Sequence, residues 1–237
     1  MKMPGQMFQK SFVRDAHGRS GAWDGALHGT DLLSSGLVAG TQVATQHGWR
    51  NVEALQQGDQ VLTFDAGLQP LCRISRSWSF ANHGTTPKCH WPLFVPAGVL
   101  GNEAAMTLLP EQSVMVESDL GEAMFDDPFV LIPALALEGY KGVERRNPHR
   151  PIEVVVLHFE TEQLVFANVG ALFHCPADHH TTILGLLDET DDAGGYEVLS
   201  IAVAQMLVDA MMDEDHLDAE WLRAQPQRQR QEARYAI

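Results

Sequence analysis

Along most of the chain, short apolar runs alternate with turn residues. From Gly36 to about His180 the runs are three to five residues long and rich in β-branched side chains. Thr41–Thr45 is one run and Gln60–Phe64 another. Each is followed by a turn that ends in glycine, Gln46-His47-Gly48 and Asp65-Ala66-Gly67. Glycine supplies the positive φ that a tight hairpin needs, so both places predict hairpins. Further runs at Leu93–Val95, Val114–Val116, Phe129–Ile132, Val154–Leu157 and Leu164–Phe166 predict more short strands. Many short strands at this spacing predict a mainly β domain closed on itself.

The pattern changes near residue 181. Val198, Leu199, Ile201, Ala202, Met206, Leu207 and Ala210 fall near helical spacing and predict a helix from about Tyr196 to Met212. A second short helix is predicted after it, capped by Asp213 or Asp215 and carrying Leu217 and Trp221. Residues 1–35 are polar and Gly-rich with weak periodicity, and they read as an N-terminal arm. The expected division is an arm at 1–35, a β domain at 36–180 and an acidic helical segment at 181–237.

Charge narrows the function classes. The 237 residues include 31 acids against 16 Lys and Arg, for a formal net charge of −15. Such a chain is repelled by nucleic acid and by anionic lipid unless basic residues segregate. The clusters available, Arg145, Arg146, His149 and Arg150 and a run at the C-terminus, are small, so no nucleic-acid partner is expected. No apolar run approaches the roughly 20 residues of a membrane span, and no secretory h-region is visible. Cys72, Cys89 and Cys175 are odd in number and irregularly spaced, which does not suit a disulfide framework. A reducing, cytoplasmic setting and no cofactor are expected.

Several ordered blocks carry a family resemblance. They begin with Gly36-Leu37-Val38-Ala39-Gly40-Thr41-Gln42-Val43-Ala44-Thr45, followed by Gly48-Trp49 and Val52-Glu53-Ala54-Leu55. Gly58-Asp59-Gln60-Val61-Leu62-Thr63 and Asp65–Pro70 complete the opening. This opening resembles that of a Hint domain, the fold shared by Hedgehog autoprocessing domains and inteins, and in particular bacterial Hint-domain proteins. Leu109–Val116 is similar to the block that carries Ser-Pro-x-His-Arg in that family. Phe129–Ala134 is similar to its Leu-Val-Pro-Ala strand, and Val154–Pro176 to its closing block. The resemblance, over about residues 36–176, implies a mainly β, Hint-like fold with paired β subunits curling into a disc, to which the spacing adds the α-helical C-terminal appendage.

The resemblance also implies a chemistry. A Cys or Ser at the first domain position attacks the preceding carbonyl, converting a peptide into a thioester or ester. A His in the middle block and often an Asp in the closing block assist. In this chain those positions fall on Gly36, Gln112 and Glu160, while Thr41 keeps its family identity. Glycine has no nucleophile, and glutamine hydrogen-bonds but does not titrate. The expectation is therefore a non-catalytic Hint-fold module that acts through protein–protein interaction. The alternative is self-cleavage near Ser34–Gly36 by an N-to-O acyl shift using Ser35, a residue otherwise read as part of a turn.

Other candidates have plain structural readings beside the functional ones. His174 and Cys175 with His179 and His180 crowd four possible metal ligands together, but adjacent ligands rarely aim at one ion, and a surface turn is expected. Cys89-His90-Trp91, with His83 upstream, offers a Cys–His pair in sequence, yet catalytic pairs meet in space. Asp119, Glu122, Asp126 and Asp127 surround an apparent hairpin and read as a solvated turn. Residues 188–220 hold eleven acids and no Lys or Arg. Either their helices cap the β domain with acids facing water, or they dock a basic protein partner.

Overall fold

The computed structural model describes residues 35–80, 86–177 and 195–217. Most of the expected arm, His83, His179, His180, Trp221 and the basic C-terminal run lie outside the described residues.

The chain enters the fold at β1 (Leu37–Val38), turns at Gly40, and forms the hairpin β2 (Gln42–Thr45) and β3 (Gly48–Asn51). A second hairpin follows, β4 (Gln60–Thr63) and β5 (Gly67–Pro70). Gly48 and Gly67 have φ of 92° and 67°, so both predicted glycine turns form. Next come β6 (Arg73–Ser79), β7 (Leu93–Val95), β8 (Met106–Leu108) and β9 (Ser113–Glu117). The connection from β9 to β10 (Phe129–Pro133) is a seven-residue helix, α1 (Asp119–Phe125), where the sequence reading placed only a solvated turn. Its cause is local: the Ser118 hydroxyl accepts from Leu120 N at 3.2 Å and caps the helix, and Asp119 and Glu122 stand at its positive end. The chain then runs through β11 (Glu144–Arg145), β12 (Ile152–His158), β13 (Gln163–Ala167) and β14 (Ala171–Cys175).

The strands make two antiparallel sheets. Sheet A has the order β11-β7-β8-β1-β12-β6. Sheet B has the order β10-β9-β14-β13-β2-β4-β5, with β3 paired to β2. Alternation fixes what each face buries. Val155 and Leu157 of β12 point into one core with Val165 and Ala167 of β13 and Ala171, Phe173 and Cys175 of β14. The opposite face of sheet A carries a smaller cluster of Phe80, Leu109 and Val154. Strand β6 was not visible as an apolar run, because Arg73, Ser75, Ser77 and Ser79 make one of its faces polar and it forms the edge of its sheet.

The C-terminal element is one helix, α2, spanning 201–217. It begins five residues later than the spacing predicts and continues without a break at Asp213. Contacts with Leu131, Glu162 and Asp65 hold residues 195–200 out of the helix. Val198 makes a parallel bridge to Leu131, and Leu199 N donates to Leu131 O at 2.9 Å. Tyr196 N donates to Glu162 Oε1 at 2.9 Å, and its hydroxyl donates to Asp65. Ala204 N to Ser200 O, 2.9 Å, is the first helical bond, which puts Ser200 at the N-cap. Ala204, Leu207, Val208 and Met211, at i, i+3, i+4 and i+7, join the main core. The helix therefore completes the core shared by the two sheets. Its acids Asp209, Asp213 and Glu214 face solvent, and Asp215 pairs with Lys141 at 3.0 Å. No helix among the described residues is long and apolar enough to cross a membrane.

Candidate functional site

Gly36, the residue that the sequence resemblance sets at the nucleophile position, lies at the entry of sheet A. Gly36 is buried immediately before β1, which pairs with β12 on one side and β8 on the other. Its backbone has φ of 124°, a conformation that glycine adopts freely and other residues rarely do. A Cβ built on it would stand 2.7 Å from Val154 Cγ1, 3.2 Å from Val156 Cγ2 and 3.4 Å from Val155 O. Two valine side chains thus occupy the room a nucleophile would need.

Gln112 completes the site from the other sheet. Its Oε1 accepts from Gly36 N at 3.0 Å. Its Nε2 donates to Ser113 O and to His174 O, both at 3.0 Å. The side chain is buried, and both amide protons are engaged. An amide so placed can hold a peptide N–H but has no proton to give a departing nitrogen. The bond falls on the nitrogen of Gly36. Attack by Ser35, which is half-buried here, would release its own nitrogen, one residue upstream.

Thr41 and Glu160 lie apart from this pair. Thr41 closes the turn after β1: its N–H donates to Val38 O at 3.0 Å, and its carbonyl accepts from Val52 N at 2.8 Å. The neighbouring Gly40 N donates to Glu53 Oε2 at 2.8 Å. A cleft of about 200 Å³ beside this turn is lined by Val38, Gly40, Thr41, Phe94, Met106 and Asn168. Glu160 is exposed in the bend after β12. It is four residues beyond Val156, roughly 13 Å along an extended chain. The structure thus joins Gly36 to Gln112 and leaves Glu160 outside.

His174 and Cys175 are neighbours on β14 and point to opposite faces, so they do not share an ion. His174 Nε2 is 2.9 Å from Glu162 Oε2, and its ring meets Tyr196 edge-on with centroids 5.8 Å apart. Cys175 faces the core, and burial pushes its thiol up to about 12. Among the described residues no group of three His, Cys, Asp or Glu side chains is arranged to hold a metal. Cys89 and His90 sit in the short turn Lys88–His90, with Cys89 exposed. Arg145 fastens that turn from below, donating to Lys88 O and Cys89 O at 3.1 and 2.6 Å.

A polar cluster that the sequence did not reveal lies on β12 and β6. His158 Nδ1 is 3.1 Å from an Arg73 guanidinium nitrogen, and His158 Nε2 is 3.0 Å from Ser75 Oγ. Arginine only donates, so Nδ1 accepts, and the proton sits on Nε2 and points at the serine. Arg73 also donates to Ser75 Oγ at 2.8 Å. Both neighbours donate to the serine oxygen, the reverse of what activates a nucleophile. The signal for this cluster was the alternation of Arg73, Ser75, Ser77 and Ser79, a polar face at strand period.

Two antiparallel sheets, the first entered at Gly36 and the second tied to that residue through Gln112, make a mainly β fold of the Hint and intein type. The profile of the Hint domain family matches residues 35–172, more than half of the sequence, and the chain belongs to that family. No curated protein matches the sequence. Among solved structures, the chain is similar to a bacterial intein-like domain from Clostridium thermocellum, at 13% identity and a TM-score of 0.43. That match covers 59% of this chain and 98% of the other. It is also similar to the gp41-1 intein, at 12% identity and a TM-score of 0.35, over 58% of this chain and 96% of the other.

Proposed function

We propose that this protein is a Hint-fold module without acyl-shift chemistry that works by holding a partner protein. One observation carries the reading. At the first domain position a side-chain-free residue is packed against Val154 and Val156, and the group on its nitrogen is an amide with every proton engaged. Loss of nucleophile and proton donor together removes the reaction, because such groups act as a unit. The Ser35 alternative lacks this support, since Gln112 engages the next nitrogen along. The solvent face of α2, with Asp209, Asp213 and Glu214, favours a basic surface as the partner's docking chemistry.

Intact mass spectrometry of freshly purified chain tests the loss of chemistry, with and without hydroxylamine or dithiothreitol. One full-length mass under every condition is expected. A fragment ending between Ser34 and Gly36 would make the protein a self-processing enzyme instead.

A further inference from the structure

Resting on that reading, we propose that Val154 and Val156 are a lock on a latent acyl-shift site, and that the geometry of the peptide beneath them is retained. The first half of the inference is steric. A Cβ at residue 36 would fall 2.7 Å from Val154 Cγ1, closer than real Cβ contacts come. The strand cannot easily step aside, because β12 is paired to β1 on one side and along its full length to β6 on the other. Valine cannot easily rotate away either, since two γ carbons leave few χ1 choices. The φ of 124° adds backbone strain for any residue with a side chain. Glycine at this place and the two valines therefore depend on one another.

The second half is what survives. Gln112 already sets a side-chain polar atom 3.0 Å from the nitrogen that would leave. A histidine at that position would offer a proton there, which glutamine cannot. With a thiol introduced at residue 36, the thiolate would attack the Ser35 carbonyl carbon. The C–N bond would break, the nitrogen would take a proton from residue 112, and a thioester would form. Dithiothreitol would then take up the acyl group, releasing residues 1–35 and regenerating the thiol beside the new amine. No oxidant or metal enters this balance.

The test uses the full chain in four forms: unsubstituted, Gly36→Cys, Gly36→Cys with Val154→Ala and Val156→Ala, and that triple variant with Gln112→His. Circular dichroism and thermal midpoints report folding, and intact mass after dithiothreitol reports cleavage. Gly36→Cys alone is expected to lower the midpoint and stay uncut. Removing the valine methyls from that variant is expected to raise its midpoint, although Val→Ala in a core normally lowers it. Adding Gln112→His is expected to give a fragment ending at Ser35, at a rate on the order of a hundred-fold above that of the triple variant, which lacks the proton donor. The lock is refuted if Gly36→Cys alone is cleaved, or if the folded fourfold variant is not. Should the fourfold variant fail to fold, the midpoints of Gly36→Cys with and without Val154→Ala decide, and additive losses refute the lock. Cleavage of the unsubstituted chain would instead refute the proposed loss of chemistry.

Discussion

The side chain of Gln112 takes a hydrogen bond from the backbone of Gly36 across 76 residues of sequence, at 3.0 Å. With its two other bonds it ties the entrance of sheet A to β9 and β14 of sheet B. The side chain is a cross-brace between the layers. Its energetic role follows from burial: each partner it holds would otherwise be a polar group without water.

Gln112→Ala is therefore expected to cost about 2–4 kcal/mol, because it strips one buried and two partly buried backbone groups of a partner and opens a small cavity. Equilibrium urea unfolding measures it. A loss below about 0.5 kcal/mol would mean that water replaces the amide without penalty.

The β13–β14 turn stores strain. Val169 has φ of 75°, a left-handed conformation that a β-branched side chain rarely adopts, and it is exposed. Val169→Asn is expected to stabilise the protein by about 1 kcal/mol, since asparagine tolerates this region. A higher thermal midpoint with unchanged circular dichroism is the expected result.

The helix α2 is held by its apolar stripe more than by charge. Leu207 is fully buried, and Leu207→Ala is expected to cost about 3 kcal/mol. The Lys141–Asp215 pair is about half exposed at both ends, so Asp215→Ala is expected to cost less than about 1 kcal/mol. Comparing the two variants by urea unfolding checks the ranking.

Alkaline sensitivity is predicted from two neutral groups, the buried Cys175 and the half-buried Tyr196. Burial pushes the Cys175 thiol from 9.0 to about 12. Burial first, and then the Asp65 carboxylate, raises the Tyr196 phenol well above its ordinary 10.0. In each case the folded state favours the protonated form. The contribution is complete below the unfolded value and is lost as pH rises through the folded one. Unfolding midpoints are expected to fall steadily above about pH 9. A thiol-reactive disulfide reagent should label Cys89 at once and Cys175 only on unfolding.

Strand positions with an apolar period were legible from sequence, because alternation reports burial directly. Val154–Leu157 and Leu164–Phe166 both lie within observed strands. Edge and polar strands were not, since Arg73–Ser79 is held by backbone pairing to β12 and carries only Ile74 and Trp78 among polar residues. The start of α2 was misplaced for a similar reason. Residues 195–200 are kept extended by Leu131, Glu162 and Asp65, partners distant in sequence. At the candidate site, the residue types at 36 and 112 were legible, but their hydrogen bond and the packing of Val154 and Val156 against Gly36 were not, because a valine in a strand reads alike whatever it packs against.

β1 is only two residues long, yet it lies between β8 and β12 inside sheet A. Any load pulled through the chain upstream of Ser35 therefore enters the domain at the middle of a sheet and not at its rim. The first bonds to carry it are the Gly36–Gln112 contact and a ladder two residues deep. Under tension the protein would yield there first, as a mechanical fuse, and the break would free β1 from Gln112 and part sheet A between β8 and β12.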